Sequence, residues 1–84
     1  MHFTVYSKDL CGYCTRAKTL LDTHSLPYNE IKLGRDIERD ALIEAIQFYG
    51  HSNTMPMVIV EDEHGNKERV GGYEALSEYV KNNV

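Results

Sequence analysis

The chain has 84 residues, 42% of them apolar, enough for one small domain spanning 1–84 with a thin core and too few for two. Thirteen acidic against nine basic residues give a net charge of -4, so the cation surplus that non-specific nucleic-acid binding needs is missing. The first apolar run, His2 to Tyr6, is too short for a signal peptide or a membrane span, which predicts a soluble, cytoplasmic protein.

His2-Phe3-Thr4-Val5-Tyr6 alternates and is rich in strand formers, so it predicts the first strand. An amphipathic run from about Gly12 to His24 follows, with Cys14, Ala17, Leu20 and Leu21 as its buried stripe, and predicts a helix. Pro27 bars that helix from continuing, and Tyr28 to Leu33 reads as the second strand. Gly34 punctuates the chain. Asp36 is the expected N-cap of a second helix. Its apolar positions Ile37, Ala41, Leu42, Ala45, Ile46 and Tyr49 repeat with a helical period. Gly50 to Asn53 reads as a loop.

Met57-Val58-Ile59-Val60 is a continuous apolar run, as expected of a central strand covered on both faces. Glu61 to Asn66 contains His64-Gly65-Asn66 and predicts a hairpin turn. Lys67 to Val70 then returns as a charged edge strand. Gly71-Gly72 breaks the chain, and Tyr73, Leu76, Tyr79 and Val80 mark a C-terminal helix. The order β-α-β-α-β-β-α predicts an α/β fold, a four-stranded mixed sheet flanked by three helices. Its β-α-β crossover is expected to be right-handed, with parallel strands.

The only two cysteines stand in Cys11-Gly12-Tyr13-Cys14, between the first strand and the first helix. That junction is where a thiol–disulfide exchange pair is expected, with the first thiol facing solvent and the second one turn inward. A reducing compartment favours a catalytic over a structural pair, and a disulfide closing so short a loop restrains little of the unfolded chain. The competing reading is half of a zinc site. Zinc needs four ligands, and His2, His24, His51 and His64 lack the short spacing that would complete it.

The thiolate is the attacking species, and an ordinary cysteine with a pKa of about 8.5 is only slightly ionised at neutral pH. A helix N-terminus contributes about 0.3–1 kcal/mol, which lowers that pKa by at most about one unit. Direct N–H···S hydrogen bonds and the Lys8 cation are the further stabilising contributions, and Asp9 opposes them. Lys8, Arg16 and Lys18 form a cationic patch around the pair. Gly12 gives backbone freedom beside the sulfurs, and Tyr13 either covers them, contacts a substrate or is simply exposed. Pro56, in Thr54-Met55-Pro56, belongs at a strand start or in a special turn. Read from the residues alone, the ordinary trans bond is expected there, although X-Pro bonds are the ones that adopt cis.

With Val5-Tyr6-Ser7-Lys8 leading into Cys11-Gly12-Tyr13-Cys14, then Thr54-Met55-Pro56, then Gly71-Gly72-Tyr73-Glu74-Ala75-Leu76, the chain resembles the glutaredoxins of the thioredoxin superfamily over essentially its whole length. It looks most like the bacteriophage-type dithiol glutaredoxins. The resemblance implies a thioredoxin-like fold, a cis Pro56, Cys11 as nucleophile and Cys14 as resolving thiol. It implies glutathione as reductant and co-substrate, bound by Lys8, Tyr13, Thr54, Met55, Pro56, Gly72, Tyr73 and Glu74. A helix N-terminus at Gly72 to Glu74 independently suits a carboxylate. Disulfide-bearing proteins, ribonucleotide reductase among them, are the implied partners of a monomer.

Two departures stand out. Gly12 replaces a proline that many members carry, a change associated in the family with an iron–sulfur cluster shared by two subunits. No other bound metal is expected. Asn53 stands where many members place a cation for the glycyl carboxylate of glutathione, and a neutral amide is a weaker anion partner. A redoxin recharged by thioredoxin reductase is therefore the alternative within the same chemistry. An iron–sulfur carrier and a binding module with incidental cysteines are the alternatives outside it.

Overall fold

A computed structural model describes residues 1–47 and 55–83. Tyr49, the expected loop from Gly50 to Asn53, Thr54 and the side chain of Ile46 lie outside the described residues.

Alternation in the first strand, β1 (His2–Ser7), sends Phe3 and Val5 to one face of the sheet and Tyr6 to the other. β1 pairs in parallel with β2 (Tyr28–Lys32) and antiparallel with β3 (Met57–Glu61), and β3 pairs antiparallel with β4 (Lys67–Gly71). The sheet order is β2-β1-β3-β4. It is the mixed four-stranded sheet with three helices, α1 (Gly12–Thr23), α2 (Arg39–Gln47) and α3 (Tyr73–Asn83), that the sequence predicts. Among the described residues no helix is long and apolar enough to cross a membrane.

The unbroken apolar run of β3 has two destinations. Val58 and Val60 pack with Phe3, Val5, Ala17, Leu21, Leu76 and Val80 under α1 and α3. Met57 and Ile59 face the other way, with Tyr6 and Leu42 of α2. Each fully buried side chain of this size stabilises the fold by roughly 1.5–3 kcal/mol, so both faces depend on this one strand.

The end of α1 agrees with the expected helix, and the start of α2 differs from it. α1 stops before Pro27 is reached. Ser25 adopts a left-handed backbone (φ 55°), its N–H donates to the Asp22 carbonyl, and Leu26 N–H donates to the Leu21 carbonyl. That pattern closes the helix by satisfying its last carbonyls. Asp36 does not cap α2. Its carboxylate accepts from the Lys32 backbone N–H at 3.0 Å and from the Arg35 guanidinium at 2.9 and 2.6 Å, within a turn that follows β2. Ile37 bridges back to Leu33, and the helix begins at Arg39. Ile37 still joins the core beneath α2, so its apolar spacing reports a shared burial face rather than a shared helix.

Candidate active site around the cysteine pair

The chain leaves β1 at Ser7 and turns outward through Leu10, which is fully exposed and has a left-handed backbone (φ 55°). Cys11 follows in an extended conformation as the N-cap of α1. Its Sγ accepts a hydrogen bond from the Cys14 N–H at 3.2 Å. The sulfur thus occupies the place of the side-chain oxygen that usually accepts from the first helical turn. The Cys11 carbonyl accepts from the Thr15 N–H at 3.2 Å, the first full helical bond.

The two cysteines are joined as a disulfide. Cys14 is 2% exposed, whereas Cys11 is only half-buried. This asymmetry suits one sulfur for external attack and leaves the other able to react only with its neighbour. The expected N–H···S contact is therefore present, and α1 directs its N-terminal end at the exposed sulfur.

The Cys11 Sγ lies 3.8 Å from the Met55 carbonyl oxygen. The Met55–Pro56 bond is cis. The trans bond expected from the residues alone is overturned, and the isomer implied by the family resemblance is the one found. Beside this bond, Tyr13, Met55, Pro56, Gly72, Tyr73 and Glu74 line a groove of about 550 Å³. The Tyr13 ring is 56% exposed, lies 6.2 Å from the Tyr73 ring, and has the Arg16 guanidinium 5.3 Å from its centroid. Gly71 ends β4 at φ +119°, and Gly72 brings the start of α3 against the Pro56 carbonyl. The first N–H groups of α3 consequently lie at this groove.

Lys8 stands elsewhere. It lines a second, more polar cavity of about 310 Å³, with Cys11, Cys14, Lys18, Glu30 and Lys32. The structure thus gathers six of the eight expected glutathione contacts at one groove, sets Lys8 apart, and leaves Thr54 outside the described residues. Asp9, expected to oppose the Lys8 cation, is itself paired with Lys32 at 2.7 Å.

One residue of this second cavity's wall, Glu30, escaped the sequence reading. Glu30, seen there only as a polar position of a strand, accepts from the Lys18 ammonium at 2.7 Å and from the buried Ser7 hydroxyl at 2.7 Å. The Arg35 guanidinium approaches its other oxygen at 3.4 Å. The Lys18 and Ser7 hydrogen bonds hold the Glu30 carboxyl below the usual range, against the opposing effect of burial. The available signal was the spacing of Cys14 and Lys18, one helical turn apart on one face. Among the described residues no group of three or more His, Cys, Asp or Glu side chains is placed to hold a metal.

Comparison with known proteins agrees with this geometry. The Glutaredoxin family model matches residues 3–64. Glutaredoxin 1 of Rickettsia conorii is 31% identical over 77 residues, covering 92% of this chain and 70% of its own. Glutaredoxin 3 of Escherichia coli K12 is 27% identical over 73 residues, covering 86% of this chain and 77% of its own. The crystal structure of a buckwheat glutaredoxin–glutathione complex superposes with a TM-score of 0.76 at 30% identity, covering 95% of this chain and 68% of that one. A family match over most of the chain, a thioredoxin-like sheet and an asymmetrically exposed Cys-x-x-Cys at a helix N-terminus lead to one assignment: the chain belongs to the glutaredoxin family of thiol–disulfide oxidoreductases.

Proposed function

We propose that this chain is a dithiol glutaredoxin that reduces protein disulfides and is recharged by glutathione. The observation that carries the reading is the groove of Tyr13, Met55, Pro56, Gly72, Tyr73 and Glu74 beside the half-buried Cys11, with Cys14 enclosed behind it. The groove offers the Met55 backbone for pairing with an extended thiol peptide. At its far end, the start of α3 offers N–H groups to a carboxylate. The similarity to a glutaredoxin crystallised with glutathione supports the same ligand here.

In this reading the Cys11 thiolate attacks a client disulfide, forms a mixed disulfide and releases one client thiolate, which takes up a proton. The Cys14 thiolate then attacks the Cys11 sulfur, and the second client sulfur leaves. Two electrons have passed to the client, and Cys11 and Cys14 are joined. Two glutathione molecules reverse the oxidation, the first by attacking the Cys11 sulfur and the second by releasing the first as glutathione disulfide. A monomer in the cytoplasm, with ribonucleotide reductase among its clients, is the setting we propose.

Paired turnover assays test the reductant. One couples glutathione and glutathione reductase to a disulfide substrate, and the other supplies thioredoxin reductase. Turnover in the first with little in the second is the expected outcome. The opposite pattern would replace glutathione with thioredoxin reductase.

A further inference from the structure

The exchange cycle asks two different things of the two thiols. Cys11 at the helix N-cap has an N–H donor directed at its sulfur. Cys14 is buried, and burial disfavours a thiolate. It must nevertheless lose a proton before it can attack the mixed disulfide, and the groove beside Met55 does not reach it. The second cavity does. Cys14 lines it, as does Lys18, one turn further along α1 on the same face.

We propose that Lys18 is the cation that stabilises the Cys14 thiolate during the resolving step, and that Glu30 and Ser7 are the positioning residues that hold Lys18 there. Lys18 donates to Glu30 at 2.7 Å, and Glu30 is itself fixed by the Ser7 hydroxyl. The proposal deepens the dithiol cycle given above and rests on it.

Of the three lysines that line the cavity, only Lys18 lies on α1, one turn from Cys14. Lys32 of β2 is engaged by Asp9, and Arg35 is engaged mainly by Asp36. Lys8 precedes Cys11 by three residues, is exposed, and lines the cavity with Asp9 and Leu10. Glu30 is the carboxylate inside, and its charge is shared between Lys18 and Arg35. Three lysines and two carboxylates, Asp9 and Glu30, line the cavity that Cys14 shares. In the step itself Cys14 Sγ–H gives its proton to water in the cavity. The Cys14–Cys11 bond forms, the bond from Cys11 to the client sulfur breaks, and the leaving thiolate takes up a proton.

An opposite charge within about 4–6 Å moves a pKa by about 1–3 units, and partial neutralisation by Glu30 places the expectation at the low end, about one unit. A less acidic thiol is also more nucleophilic, with a Brønsted slope of about 0.4–0.5, so a tenfold loss of thiolate becomes roughly a threefold loss of rate.

Stopped-flow mixing of the reduced protein with dithiobis(nitrobenzoate) separates the two thiols. A second-order phase reports attack by Cys11, and a first-order phase reports release of the second chromophore by Cys14. Lys18→Gln should leave the first phase unchanged, slow the second about threefold at neutral pH, and raise the midpoint of its pH profile by about one unit. Lys18→Arg should restore both values. An unchanged second phase, or equal slowing of both phases, would overturn the role of Lys18. Failure of the glutathione assay with these phases intact would instead overturn only the choice of reductant.

Discussion

The N–H of Cys14 donates to the Cys11 Sγ at 3.2 Å, so in the proposed cycle the resolving residue assists the attacking one through its backbone. Once the disulfide opens, the same N–H faces a thiolate, a stronger acceptor than a bonded sulfur. That N–H therefore stabilises the Cys11 thiolate relative to its thiol.

The ion pairs around the site modulate that stabilisation. Lys8 lines the polar cavity together with Cys11, and Asp9 is paired with Lys32. Lys8→Ala should raise the Cys11 pKa by a few tenths of a unit, and Asp9→Ala should lower it by a similar amount, because exposed charges are screened. Thiolate absorbance across a pH titration measures both. Shifts of the same sign in the two variants would refute this electrostatic account.

Gly71→Ala should destabilise the fold by about 1–3 kcal/mol. A side chain at φ +119° is strained, and the new Cβ would lie 3.1 Å from the Cβ of Ala75. The substitution also disturbs the turn that brings Tyr73 to the groove. Urea unfolding should show a lower midpoint with an unchanged slope, together with a raised KM for disulfide substrates. A variant as stable as the parent would show that the backbone adapts.

Gly12→Pro has the opposite expectation. Gly12 is the first residue of α1, where an N–H has no helical partner, and the space around its Cβ position is open. Proline is well suited to that position and restricts the unfolded chain, so a gain of about 0.4–1 kcal/mol is expected. Thermal unfolding of the reduced protein checks it, and a drop in midpoint would show that the Gly12 N–H has a partner after all.

The Glu30 carboxyl is held below its usual range by Lys18 and Ser7. It binds its proton more weakly in the folded chain than in the unfolded one. Its stabilising contribution is therefore complete above the ordinary glutamate range and fades as pH falls through that range toward its depressed value. Denaturation followed from neutral pH to about pH 3, across the carboxylate range, should show a shallower loss of stability in Glu30→Gln than in the parent. Parallel curves would mean that Glu30 titrates alike in both states.

Where the sequence carries local, periodic information, it determines the structure. The alternation of β1, the apolar run of β3 and the stripe of α1 set the element order and both faces of the sheet. The Cys11-Gly12-Tyr13-Cys14 spacing set the chemistry, because a helix start after a strand places one sulfur outside and the other within. Local pattern misled at Asp36 and Ile37, where a turn that bonds back to Lys32 and a bridge to Leu33 displaced the expected cap.

Contacts between residues distant in sequence were decided only by the tertiary structure. Met55 reaches Cys11 because β3 lies beside β1, with the cis bond standing just before β3. Lys18 meets Glu30 because the parallel pairing of β1 and β2 brings Ser7 and Glu30 together beside α1. A charged residue in an isolated strand segment has no sign of its partner. The partner is fixed by sheet register and helix packing, which form only when the whole core is buried.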